Sequence, residues 1–121
     1  MPAPNFPQID EADKWDITII QQGSTWMRSL TFSELDLTGF SFRGQIKRHH
    51  TERRALASFT ITAVSSSELS IQLTPRESSK LVPGILAFDI EMYYAEAGED
   101  LFVARILSGK VKVTPEITTK R

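Results

Sequence analysis

The segment Leu86-Ala87-Phe88-Asp89-Ile90-Glu91-Met92-Tyr93 alternates large apolar side chains with small, acidic or phenolic ones. A period of two marks a β-strand with one face against a core, because successive side chains of a strand point to opposite faces. The same reading extends in both directions. Downstream, Ala97-Gly98-Glu99-Asp100 is a turn, and Leu101 to Leu107 reads as a mostly apolar strand. Gly109 is expected to bend or bulge that strand before Val111 and Val113.

Upstream, Pro83-Gly84 closes a short helical turn: Thr74 is its cap, Pro75 suits the first position, and Glu77 stands three residues after the cap. That spacing is a capping box, and one to two turns suit a corner between strands. Before it come Leu69, Ile71 and Leu73 on one strand face, and a turn at Ser65-Ser66-Ser67. Phe59 and Ile61 alternate with Ser58, Thr60 and Thr62, as do Phe42, Gly44 and Ile46 with Arg43, Gln45 and Lys47. Asp36 to Gly39 is a turn-rich link. Trp26, Leu30 and Phe32 share one parity, interrupted by Arg28, which places Arg28 near a sheet edge or beside a carboxylate. A first strand contains Ile17, Ile19 and Ile20.

About eight short strands at sandwich-like spacing predict an all-β, immunoglobulin-like antiparallel β-sandwich with one short helical turn. A small barrel is the second choice, and the Cys–Trp–Cys pattern of antibody domains is absent. The expected core is Trp26, Leu30, Phe42, Ile46, Phe59, Ile61, Leu69, Ile71, Leu73, Phe88, Ile90 and Val111. The 121 residues suit one domain. Residues 1–13 form an N-terminal arm, 14–118 the sandwich and 119–121 a short tail. Pro2, Pro4 and Pro7 keep the arm out of a ladder. With only Phe6 and Ile9 as anchors, the arm is expected to be mobile in the isolated chain and to dock in an assembly.

Composition narrows the function. No cysteine means no thiolate chemistry, and a net charge of −1 argues against general nucleic-acid binding. No apolar run reaches membrane-span length, and the N-terminus lacks a signal peptide's pattern. His49 and His50 with Glu52 superficially resemble metal ligands, but neighbours on a strand diverge. No nucleophile elbow, phosphate loop or dinucleotide fingerprint occurs. Asp89 and Glu91 share one strand face and read as solvated, or as paired with Arg or Lys across strands. Trp15 and Trp26 read as core, or alternatively as sugar-stacking residues.

Arg43, Lys47, Arg48, Arg53 and Arg54 make a basic segment. It reads as a solvated hairpin end, or as a contact with an acidic neighbour. Acids cluster at Asp10, Glu11, Asp13 and Asp16, and again at Glu96, Glu99 and Asp100. Phe6, Ile9 and the five basic residues are the candidate partner contacts.

Two longer stretches go beyond generic strand pattern. Asp36-Leu37-Thr38-Gly39-Phe40-Ser41-Phe42-Arg43-Gly44-Gln45-Ile46-Lys47 resembles the "DLTGY-x-F-R-x-Q-I-R" stretch of a domain recurrent in tailed-phage proteins. The run from Arg105 to Thr118, Arg-Ile-Leu-Ser-Gly-Lys-Val-Lys-Val-Thr-Pro-Glu-Ile-Thr, resembles that domain's closing strand. Ala57-Ser58-Phe59-Thr60, Leu73-Thr74-Pro75, and Pro83-Gly84 before Phe88-Asp89-Ile90-Glu91 fall in the expected order. The domain is similar to the N-terminal module of phage baseplate upper proteins and of some tail-fibre and tailspike proteins, and the match runs from about Trp15 to Thr118.

The resemblance implies a β-sandwich that anchors receptor-binding parts to a phage tail. It carries no catalytic residues, so no enzyme activity and no cofactor are expected. A fibre protein would continue past Arg121 into a shaft or head, so the expectation is an adaptor or baseplate subunit. It would be present in many copies in the virion and would reside in the host cytoplasm during assembly. Its expected partners are other tail or baseplate proteins and fibre subunits, with no nucleic acid and no membrane span. The alternative is a carbohydrate- or receptor-binding sandwich.

Overall fold

In chain order the elements are β1 (Asp13–Gln21), β2 (Trp26–Thr31), β3 (Ser41–Lys47), β4 (Ala57–Ser58), β5 (Thr60–Ala63), β6 (Glu68–Leu73), α1 (Pro75–Ser78), β7 (Gly84–Glu96) and β8 (Glu99–Thr114). They come from a computed structural model that describes residues 3–9 and 12–117, with the side chains of residues 15–17 left out. The expected features at Pro2, Asp10, Glu11 and the tail 119–121, and at the side chains of Trp15, Asp16 and Ile17, lie outside the described residues. So does Thr118, the last residue of the phage-like closing run.

The strands form a five-stranded sheet, ordered β1-β8-β7-β3-β4, and a three-stranded sheet, ordered β2-β6-β5. This is the expected all-β sandwich, with one departure. β1 runs parallel to β8, so the sheets are not wholly antiparallel. β7 and β8 join through a two-residue turn in which Ala97 and Gly98 have φ of 51° and 81°. Positive φ at both positions matches the twist of a tight hairpin.

Alternation places Ile46, Phe88, Ile90, Met92, Val111 and Val113 on the inner face of the larger sheet, opposite Trp26, Leu69, Ile71 and Leu73 of the smaller one. Trp26, Phe59 and Phe88 bridge the layers as a chain of rings, with centroids 5.7 Å and 5.9 Å apart. Nine of the twelve expected core residues are buried, while Leu30, Phe42 and Ile61 are partly buried against the same cluster. Arg28 is exposed on edge strand β2, its guanidinium 5.3 Å from the Trp26 ring centre.

Three expectations need correction. The single strand read through residues 58–62 is divided: β4 pairs with β3 and β5 with β6, so the chain changes sheets at Phe59. The Phe59 N–H still donates to Gly44 O at 2.9 Å, which fixes its ring between the layers. Gly109 lies in register with Phe88, and the bulge falls at Ile106, the extra residue between the pairs Ile90–Leu107 and Glu91–Arg105. The extra residue lets both Ile106 and Leu107 reach the core. In the capping box, Thr74 Oγ1 accepts from Glu77 N at 3.2 Å as expected. The Glu77 carboxylate, however, turns away from the cap: it accepts from Ser58 N at 3.0 Å and pairs with Lys80. Those contacts tie the helical turn to β4 and hold the Glu77 carboxyl below its ordinary range, the Lys80 hydrogen bond being the larger cause.

Candidate functional site

Of the charged residues singled out from sequence, Arg43, Lys47, Asp89 and Glu91 share the outward face of the five-stranded sheet. Register across β3, β7 and β8 builds that face in rows: Arg43–Glu91–Arg105, then Gln45–Asp89–Ser108, then Lys47–Ala87–Lys110. A last row joins Ile85, Lys112 and, on β1, Ile19. Neighbouring strands stand about 4.8 Å apart, so residues within a row are in side-chain contact range.

The upper rows satisfy themselves. Arg43 Nε donates to Glu91 Oε1 at 2.8 Å and its Nη2 to Asp100 Oδ2 at 3.0 Å. Its guanidinium lies 4.4 Å from the Tyr93 ring centre. The hydrogen bonds to Glu91 and then Asp100 raise the Arg43 pKa further, so this group stays charged. Arg105 Nε donates to Asp89 Oδ2 at 3.1 Å. Of the two readings of Asp89 and Glu91, solvated or paired across strands, the structure has the paired one.

Arg43 thus stands apart from the other four basic residues, held within the chain's own ladder. Lys47 is half-buried at the end of β3, and Arg48, Arg53 and Arg54 are exposed in the loop between β3 and β4. That loop is closed by Glu52 N donating to His49 O at 3.1 Å and Leu56 N donating to Ile46 O at 2.8 Å. His49 and His50 lie in it, past the end of the strand. Among the described residues no group of three His, Cys, Asp or Glu stands together as metal ligands.

Sequence reasoning missed Lys110 and Lys112, which the β7–β8 register brings beside Lys47 although they are over 60 positions away. Their period-two spacing on the closing strand was a usable signal; their neighbour on β3 was not.

The arm does not stand free of the domain. Pro4 covers Gly39, whose φ of +86° marks the turn before β3. Phe6 stacks on Phe102 with centroids 5.0 Å apart and leans on Tyr94 at 5.7 Å and Phe40 at 6.4 Å. Ile9 packs against the core cluster. This seat was not legible from sequence, because its rings come from three separate segments. Between the arm and the β2–β3 loop runs an open groove of about 400 Å³, lined in part by Ile9, Asp13, Phe32, Glu34 and Ile106.

Trp26 is buried, so it offers no sugar platform; its Nε1–H has no hydrogen-bond partner among the described residues. Among the described residues no helix is long and apolar enough to cross a membrane. What the outward face presents is charge and apolar side chains at fixed spacing. No family model matches this sequence, and a search of the curated proteins finds no significant relative.

Proposed function

We propose that this chain is a structural subunit of a phage tail, a baseplate subunit or adaptor that anchors fibres or receptor-binding proteins and performs no catalysis. The observation that carries the reading is the position of the phage-like stretches. Residues 41–47 of the first stretch, 88–91 and 105–114 lie on β3, β7 and β8, three adjacent strands of one sheet, while 57–60 lies at the β4–β5 crossing and 73–75 at the end of β6 and the start of α1. Short motifs scattered by chance would have no reason to adjoin. Here they supply the ladder of Arg43, Glu91, Asp89 and Arg105, a single structural unit.

We also propose the narrower immunoglobulin-like assignment. With β2, β3, β5, β6, β7 and β8 lettered B, C, D, E, F and G, the sheets read B-E-D and G-F-C. A sandwich of this kind works by presenting a rigid face to neighbours, and repeated copies turn modest contacts into firm attachment. The test is deletion of the gene in the phage that carries it, followed by mass spectrometry of gradient-purified particles. The reading predicts the chain in wild-type tails and fibre-deficient, non-adsorbing particles without it. Normal, infective particles lacking the chain contradict it.

A further inference from the structure

Among the described residues the outward face and its hairpin leave two ends without an ion pair, and those ends are opposite in charge. At one end Lys47 and Lys110 flank Ala87, with Lys112 next along β8 on the same face. None of the three has an acidic partner among the described residues, whereas every acid in the rows above them is paired to an arginine. Lys112 sits between Ile85 and Ile19, which are 49% and 56% exposed.

At the other end the β7–β8 hairpin runs past its neighbours. β3 pairs with β7 only as far as Tyr93, and β1 reaches β8 only from Leu107 onward. The protruding tip carries exposed Glu96 and Glu99, and beside them Leu101 and Val103, which are 48% and 44% exposed. Tyr94 donates its hydroxyl to Glu96 at 2.6 Å, which fixes that carboxylate in place.

We infer that the two ends bind one another between copies of this chain: the Lys47–Lys110–Lys112 face of one molecule takes the Glu96–Glu99 hairpin tip of the next, head to tail. Cations meet carboxylates, and Ile19 and Ile85 meet Leu101 and Val103. Charge sets partner and register, while the apolar pairs supply burial. Because the ends differ, the contact is heterologous and repeats into a ring or a filament. A net charge of −1 favours this occupant over a nucleic acid, which the chain as a whole does not attract. The inference rests on the assembly reading above and names the partner of that surface.

Sedimentation velocity of the purified full chain at low salt tests it, because screening is weak there, with a Debye length of about 30 Å at 0.01 M. The wild type should sediment faster as concentration rises, and added salt should reverse this. The variants K47E/K110E/K112E and E96K/E99K should each lose affinity by roughly tenfold or more, since like charges then face each other. Their equimolar mixture should recover wild-type association, because each reversed end finds its complement. Should the triple variant lose its β-type circular dichroism, K110E at an exposed position carries the same comparison. A monomeric wild type at every concentration, or folded variants whose mixture fails to recover, overturns the inference. So does a monomeric wild type that binds an oligonucleotide through these lysines. All these readouts are independent of whether the chain occurs in a tail.

Discussion

The outward face of the three-stranded sheet is made of rows Met27–Gln72–Thr60 and Ser29–Ser70–Thr62, ending in Thr31–Glu68. The outward face of the five-stranded sheet carries Arg43, Glu91, Arg105, Asp89, Lys47, Lys110 and Lys112 in comparable rows. Both faces are wet on one side and close the same interior on the other. The first face is made mostly of hydroxyls and amides, with exposed Met27 and a single carboxylate at Glu68. The second face instead carries ordered charges, paired in the middle and, among the described residues, without an ion pair at Lys47, Lys110 and Lys112, and it is this difference on which the proposed contact with a neighbour rests.

The shared interior is the strongest term on both sides. Phe59→Ala removes the ring between Trp26 and Phe88 and is expected to lower unfolding free energy by about 3–5 kcal/mol in urea denaturation, as one cooperative transition. Two separate transitions would break the comparison at its base, because the sheets would not share one core. Gly44→Ala comes next. Its added methyl would lie 3.0 Å from both Ile90 and Phe59 and 3.1 Å from Asp89 O, an overpacking expected to cost about 1–3 kcal/mol in the same assay.

The link between the sheets through the helical turn is weaker. Glu77→Gln is expected to cost about 1 kcal/mol near neutral pH, since it removes the charge that Lys80 and Ser58 N–H stabilise. The folded carboxyl is held below its unfolded value of about 4.3, so its contribution is full above that pH and fades as pH falls through the lower, folded value. The stability difference between wild type and Glu77→Gln should therefore shrink as pH falls below the unfolded value, as pH-dependent melts will reveal. The smallest effects separate the outward faces themselves. Arg43→Ala is expected to cost up to about 1 kcal/mol, through its two ion pairs and its seat on Tyr93, and Ser70→Ala less than about 0.5 kcal/mol. Equal values would remove the energetic distinction between the faces.

Much of the fold is legible where one rule acts alone. The period of two in residues 86–93 gives β7, and Thr74-Pro75 gives α1 with its cap. What is not legible depends on partners distant in sequence. The alternation through residues 57–63 runs unbroken, so nothing local betrays the change of sheet at Phe59. The parallel pairing of β1 with β8, and the bulge at Ile106, arise only when the strands meet. Leu37 and Leu81 are fully buried from irregular segments that have no periodicity to read. The candidate site divides the same way. Parity put Asp89 and Glu91 on one face and left them solvated or paired, whereas Lys110 and Lys112 joined Lys47 only through register.

The central claim is that this chain acts by being bound within a tail. A cryo-electron microscopy reconstruction of the intact particle tests it most directly. The account predicts the sandwich in the tail or baseplate in several copies, with the outward face of the five-stranded sheet against a neighbouring subunit. A tail whose density is fully accounted for by other chains would contradict it.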